Sequence, residues 1–427
     1  MTGDLVRHAE LAGDHARAAR ACVIAGERSL RLFANAEALA LAGRGHSHLD
    51  RLPDDRLRRE LVISLFRIQL LAAAGPGLRP LPRIVDELTK AIADAEAVSL
   101  HAAAATGHYL LSVLHQETGA ASRARQSTLR AAEVGRETDQ QTFAQQLANT
   151  ARCLIELETE IPRARSLLAE AEVLLVPKGQ LVCELQWGLG LLARWSGNIC
   201  EATTRVECAL SLARNAEDRW RQYKCLTWLA VIELERGRFS GVRERCRDLR
   251  EVAHQLGESE APLAGTFEEL ANLAVDSGEG FDRLDAALSG LRAVDDKSHL
   301  AYALNAAVVL SLGTQPPQTA RAYAQEALSV SRTMQRQGEI AIAEAMLAVL
   351  DTHLCTNARQ ERLARLREQV ADQDRFNARA RTLIEHVAVF GIAPARTAPL
   401  PSIETENAVR GVYACRASSS NARSKNP

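Results

Sequence analysis

The sequence predicts an all-α fold, a right-handed α-solenoid of helical hairpins that repeat about every 40 residues. Three observations lead there. First, Ala, Leu, Arg and Glu dominate the 427 residues, aromatics are 4% and prolines number 13. Almost no run alternates β-branched with polar residues as a strand would. Second, Arg123-Ala-Arg125 recurs as Arg163-Ala-Arg165, each preceded by a breaker (Gly119, Pro162), and Gly197 recurs as Gly237, both at a shift of 40 residues. Third, Ile155-Glu-Leu-Glu returns as Ile232-Glu-Leu-Glu after 77 residues, close to two such units. Fixed periods of this size mark stacked supersecondary units.

Each unit reads as a helix, a short turn with glycine or proline, and a second helix, as from Cys225 to Gly257. The glycine lets the first helix stop and the chain reverse. Turns at Gly119, Thr159, Gly197, Gly237, about Glu279 and about Gln315 imply seven to nine hairpins over residues 1–390. A lone hairpin cannot bury its apolar face, so neighbouring units must stack. From residue 391 to 427 the chain turns rich in Pro, Ser, Asn and Ala, and reads as a disordered tail.

The stretch from His101 to Gly119 sets His101, His108 and His115 seven residues apart on one helix. Seven residues rise about 10.5 Å, too far for three imidazoles to share one zinc ion at bonds of about 2.0–2.1 Å. The three histidines therefore read as a packing stripe. His46-Ser-His48 is the one tight pair, but positions i and i+2 point apart on a helix.

The repeat resembles the tetratricopeptide family in a degenerate form. Leu189-Gly190, Gly197 and Ala202 fall where that family places its Leu-Gly pair, turn glycine and small second-helix residue. His108, Leu111, Ser112 and His115 take the places it fills with Trp, Leu, Gly and Tyr. The segment His8 to Asp55, with its AGER, ANAEAL and LDRLPD elements, resembles the first helical repeats behind the ATPase core of bacterial signal-transduction ATPases. Some of those are joined to adenylate cyclase or LuxR-type DNA-binding domains. Over roughly residues 5–355, the likeness implies a helical arm without its engine.

Chemistry-bearing motifs are missing. There is no GxxxxGK[ST] to cradle phosphate and no GxSxG elbow. Gly43-Arg-Gly45, Gly75-Pro-Gly77, Gly188-Leu-Gly190 and Gly278-Glu-Gly280 follow no strand, so they read as turns and close helix contacts. The sequence points to no enzyme, cofactor or metal. Lys and Arg total 52 against 53 Asp and Glu, a net charge of −1 without the basic excess of a nucleic-acid binder. No apolar run of about 18 residues predicts a membrane span, and the start has no signal-peptide core, so a cytoplasmic location is expected. The nine cysteines, without a CxxC, read as reduced thiols, mostly in the core, with Cys415 in the tail.

What remains is binding, because a solenoid presents a continuous concave surface lined by its first helices. The family register places Tyr109 and Gln116, then Trp187, Arg194 and Trp195, then Lys224, Thr227 and Val231 on that surface. The expected partner is a protein or peptide. Two alternatives stand beside this scaffold. One is a sensor that takes a small molecule or signalling peptide in a groove around Trp187 and Trp195; the other is a degenerate fragment of a larger ATPase or adenylate cyclase protein. The arginine runs at 236–250 and 360–381 are interleaved with acids, which suits i,i+3 and i,i+4 ion pairs on a wet helix face.

Overall fold

The computed structural model describes residues 2–32, 34–73, 82–175, 179–256, 261–275, 280–312, 316–351 and 355–390. The expected tail, Cys415, the Gly75 and Gly278 turns and the breakers near Glu279 and Gln315 lie outside those residues. All regular structure among the described residues is helical. Helix α1 (Thr2–Leu11) precedes a run of hairpins: α2 (His15–Arg31) with α3 (Asn35–Leu49), α4 (Arg56–Ala73) with α5 (Pro82–Ala97), and α6 (His101–Glu117) with α7 (Ala121–Gly135). Next come α8 (Gln140–Glu156) with α9 (Ile161–Leu175), α10 (Cys183–Ser196) with α11 (Ile199–Asn215), and α12 (Arg219–Glu235) with α13 (Phe239–Gln255). The series ends in α14 (Pro262–Val275) with α15 (Phe281–Ala293), α16 (Lys297–Ser311) with α17 (Pro317–Thr333), α18 (Gln337–Leu350) with α19 (Thr356–Val370), and finally α20 (Ala378–Phe390).

The period is set by backbone punctuation. Gly119, Glu158, Gly197 and Gly237 end α6, α8, α10 and α12 with positive φ (75°, 54°, 94° and 67°), recurring about every 40 residues. Left-handed backbone after a helix satisfies its last carbonyls and reverses the chain. At the second of these turns glutamate takes the place of glycine, which explains why that turn is the least obvious in the sequence. Helices α8 and α12, which each open a hairpin, start on a side-chain cap. Asp139 Oδ1 accepts from the Gln141 and Thr142 N–H groups at 3.0 Å, and Asp218 Oδ1 accepts from Arg221 N–H at 2.9 Å.

Even-numbered helices form the inner layer and odd-numbered ones the outer. Inner helices touch both their own outer partner and the inner helices of neighbouring units, as α8 touches α6, α9 and α10. They are consequently buried on nearly all sides; α12 buries residues from Gln222 to Glu235 around its circumference. Outer helices bury one stripe, as α13 does with Val242, Cys246, Leu249, Val252 and Ala253. The two layers approach closely only where a small residue permits it. A Cβ on Gly190 would lie 2.6 Å from Val206 Cγ2 and 3.3 Å from the Ala202 carbonyl oxygen. Ser112, Ala151 and Ala230 hold the corresponding buried positions of α6, α8 and α12.

The ion pairs of the arginine runs differ from the sequence expectation. Arg245 pairs with Glu207, Arg250 with Glu268, Asp248 with Arg214 at 2.9 Å, and Arg367 with Glu385 at 2.5 Å, each on an adjacent helix. Arg236 pairs one turn back with Glu233 at 3.6 Å as expected, whereas these other long guanidinium stems bridge packed helices. Of the described cysteines Cys22, Cys153, Cys225 and Cys246 are buried, whereas Cys200 and Cys355 are exposed at helix starts.

The array coils so tightly that units about five hairpins apart touch. Helix α10 meets α20. Trp195 Nε1 donates to the Gln373 carbonyl at 2.8 Å, and Asn35 Nδ2 donates to the Leu256 carbonyl at 3.3 Å. Gly43 tests the packing account differently from Gly190, because it sits in α3 with nothing within 4 Å of an added Cβ. Gly43→Ala should raise unfolding free energy by roughly 0.5–1 kcal/mol through helix propensity. Gly190→Val should lower it by about 1–3 kcal/mol through overpacking. Urea titration of both variants checks this, and the opposite order would contradict it.

Candidate functional site

One stripe of α6 runs Ala102, Thr106, Tyr109, Val113 and Gln116, spaced by three or four residues and so on one face. Its first part opens on a concavity of about 560 Å³, shared with Ile63, Ser64 and Arg67 of α4 and Glu27 of α2. Its last part enters an inner channel walled by α6, α8, α10, α12, α16 and α18. The free volume there is only about 70 Å³.

The channel is lined by charge, aromatic rings and a few apolar side chains. Arg152 donates to Glu156 at 2.6 Å with both side chains buried, and lies 4.4 Å from the Trp187 ring. Glu156 also accepts from Gln116 Nε2 at 3.0 Å and Trp228 Nε1 at 3.3 Å. Burial opposes both charges, but each is held by the other: the Glu156 carboxyl stays below the usual carboxylate range and Arg152 is held above its ordinary value. Arg194 is gripped by Glu235 at 2.5 and 3.0 Å and packs 5.1 Å from the Trp228 ring. Lys224 reaches across the channel to Glu117 at 3.1 Å and lies 5.8 Å from Trp220.

On the far wall, Asp296 takes the His299 ring and backbone N–H groups. Burial works against its charge, yet His299 brings its pKa down to about 2. Arg379 pairs with Glu339 and sits 4.2 Å from the Tyr302 ring. Glu158 is the exception, because burial pushes its carboxyl above the usual range and Glu339 adds to the effect, while Arg336 opposes it. Its oxygens accept from Gly338 N–H at 2.8 Å and Asn377 Nδ2 at 3.4 Å. The wall is thus a set of cation–ring and cation–carboxylate contacts around a narrow axis.

Of the residues placed by family register, Gln116, Arg194, Lys224, Thr227 and Val231 line this channel. Tyr109 lies just behind it, with its hydroxyl 3.5 Å from Arg152. Trp187 and Trp195 do not line it: both are buried, Trp187 under Arg152 and Trp195 against Gln373. Trp220 and Trp228 face the channel in their place. The register picked inner helices but did not separate the tryptophans that face the channel, Trp220 and Trp228, from those that turn into the layers between helices, Trp187 and Trp195. Sequence reasoning missed the far wall of Asp296, His299, Tyr302 and Glu339. Only the coil brings it opposite α6 and α8, and no local motif marks it.

The three evenly spaced histidines do not converge. His101 faces the open concavity, while His108 and His115 lie in an outer groove of about 1080 Å³ around α7. That groove is the larger space but its arginines are largely committed, Arg125 and Arg163 to Glu160, Arg130 to Glu96 and Glu133. His108 Nε2 lies 3.1 Å from Glu96 Oε1. His48 lies 3.0 Å from Glu10 and His46 packs on Phe66, so that pair points apart. Among the described residues no group of three His, Cys, Asp or Glu is placed to hold a metal, and no helix is long and apolar enough to cross a membrane.

No family model matches the chain, and no curated protein matches it. Solved structures do. A Rap protein complexed with competence and sporulation factor superposes with a TM-score of 0.51 at 12% identity, over 84% of this chain and 99% of that one. The chain has a tetratricopeptide-like helical-repeat fold. Two other structures superpose less closely. The apo form of RapI has a TM-score of 0.44 at 12% identity, over 75% of this chain and 99% of its own. A signal transduction ATPase with a tetratricopeptide repeat sensor from Pyrococcus horikoshii has a TM-score of 0.42 at 13% identity, over 78% of this chain and 52% of its own.

Two predictions follow from this geometry. Removing one partner of a buried pair strands the other, at a cost of about 3–5 kcal/mol. Arg152→Met should therefore destabilise by about that much, and Arg152→Met with Glu156→Leu should recover a large part of it. Chemical denaturation of the single and double variants decides, and equal losses would contradict the pairing. Burial lowers the pKa of both His108 and His115, helped at His115 by Arg123. A depressed histidine pKa favours the neutral folded form, so its stability contribution is full above the unfolded value of about 6.5 and lost as pH falls. The melting temperature of the unaltered chain should drop more between pH 7 and pH 5 than that of His108→Gln/His115→Gln; equal slopes would contradict it.

Proposed function

We propose that this chain is a non-catalytic scaffold that binds a protein segment or peptide along the inner face of its coil. The observation that carries this reading is the set of groups gathered on the inner face. One stripe of α6 borders an open concavity between α4 and α6 at its start and, at its end, a channel where Trp220, Trp228, Tyr302, Arg194 and Arg336 are presented together. Aromatic rings and arginines are the residue types that dominate binding hot spots. Arg336 is bonded to the Ser298 hydroxyl at 3.2 Å and has no carboxylate within ion-pair distance among the described residues, so it can take an acidic group of the partner. The Rap protein that shares this fold was solved in complex with competence and sporulation factor, which supports a fold of this kind taking a partner.

The setting we infer is regulatory, as the helical arm of a signalling or transcription-regulating ATPase system, on the strength of the N-terminal likeness between His8 and Asp55. A sensor reading, in which a small molecule or signalling peptide alters the pitch, is favoured by the narrowness of the channel. Each interface in a solenoid bends a little and the changes add.

Selection of a randomised peptide display library on the full chain tests the proposal. One class of extended peptides should be enriched, and the enrichment should fall at least tenfold in Trp228→Ala/Arg336→Ala, about 1.4 kcal/mol of binding energy. Enrichment indifferent to those substitutions would contradict the assignment of the surface. ATP hydrolysis or cyclic AMP formation above a buffer control would contradict the non-catalytic reading.

A further inference from the structure

The channel is too small for the occupant that the preceding reading gives it. About 70 Å³ is free, the liquid volume of roughly two water molecules, whereas ligand pockets hold roughly 300–1,000 Å³. A peptide can enter only if some part of the wall moves. Neighbouring hairpins are held by rows of Leu and Ala buried against each other, and parting them would expose that apolar surface. One joint is made differently.

Where the coil returns on itself, the α18 start and the turn before α20 rest on the turns that follow α8 and α10. Gly338 N–H and Asn377 Nδ2 donate to Glu158, Trp195 Nε1 donates to the Gln373 carbonyl, and Arg165 faces Asp374 at 3.4 Å. The partners are 178 to 219 residues apart in sequence, so none of these bonds belongs to the hairpin stack itself. Glu158, Arg336, Glu339 and Arg379 are all trapped beside the joint and the channel. Charged groups regain hydration when a joint opens, which offsets part of the cost of exposing the Trp195 ring there.

We propose that this joint is a releasable clasp: α18 to α20 part from the α8 and α10 turns to admit an extended peptide to the inner channel, and close over it. The proposal rests on the channel being the binding surface. Its occupant is a peptide in extended form, because only a slender chain fits between inner helices once the gap widens, and Arg336 and the ring pair Trp220 and Trp228 would meet acidic and apolar side chains on it.

Gly338 supplies a clean test. It is helical, and a Cβ there would lie 2.7 Å from Asn377 Nδ2 and 3.2 Å from Glu158 Oε2. Gly338→Ala therefore removes no hydrogen-bonding group and improves helix propensity, yet wedges the joint. Trp195→Phe is the second variant, which keeps a ring but loses the bond to Gln373. In solution scattering both variants should show a larger radius of gyration than the unaltered chain, and amides of residues 371–377 should exchange faster. Peptides selected on the unaltered chain should associate at least several-fold faster with Gly338→Ala. A Cβ on Gly197 would lie 3.1 Å from Ala378 Cβ across the same joint, within reach of a disulfide, so the Gly197→Cys/Ala378→Cys disulfide, with Cys200, Cys355 and Cys415 replaced by serine, should abolish uptake until reduced.

Unchanged dimensions and exchange in both variants would overturn the clasp. So would uptake by the disulfide-closed chain at the rate of the reduced one. If the joint opens in the variants but the selected peptides still bind equally well to Trp228→Ala/Arg336→Ala, the clasp opens a different surface and the channel reading fails on its own.

Discussion

The inner helices α8, α10, α12, α16 and α18 have almost no side that faces bulk water, and that constraint governs the rest of the structure. A polar residue on α8, α10, α12, α16 or α18 must find a partner inside the protein or destabilise it. Arg152 has Glu156, Arg194 has Glu235, Arg379 has Glu339, and Asp296 has His299. The three arginines also pack against rings: Trp187, Trp228 and Tyr302 respectively. A wall of leucine would have been simpler to stabilise, since buried ion pairs often do no better than hydrophobic residues of the same volume. What the charged wall provides is specificity where a pair joins two inner helices, as Arg194 on α10 does with Glu235 on α12 and Arg379 on α20 with Glu339 on α18, since each such pair limits how far those helices can slide.

The outer layer works under the opposite constraint. Its helices bury one stripe and leave the rest wet, so their arginines carry little individual energy but tie neighbouring units together, as Arg214 does with Asp248 and Arg292 with Glu326. Stability therefore comes from local interfaces repeated along the chain, while the coil's diameter depends on a few contacts between distant units. A fold built this way can change its pitch without losing its hairpins.

Much of the architecture was legible in the sequence because it is local. Gly119, Gly197 and Gly237 show where helices must reverse, and Gly190 with Ala202 shows where two helices come close. The turn at Glu158 was harder to see, since a glutamate with positive φ leaves no compositional mark. The inner wall was legible by half. The family register gave Tyr109 and Gln116 on α6 and the faces of α10 and α12, but it could not tell which tryptophans turn into the protein. Nor could it place Asp296, Tyr302 and Glu339 opposite them, because curvature accumulates from many small interhelical angles that no single residue encodes. The histidine spacing shows the same limit: His101 and His108 share a helix face in projection, yet open on different sides of the coil.

The most direct test of the account is whether units five hairpins apart do touch in solution. The N-terminal half offers a contact remote from the clasp, where Asn35 reaches the Leu256 carbonyl at 3.3 Å. Spin labels at Ala36→Cys and His254→Cys, both exposed positions, with Cys200, Cys355 and Cys415 replaced by serine, report that separation by pulsed dipolar spectroscopy. A tightly wound coil predicts one narrow, short distance; a long and broad distribution would mean an open spiral, and would contradict the closed inner wall on which the structure depends.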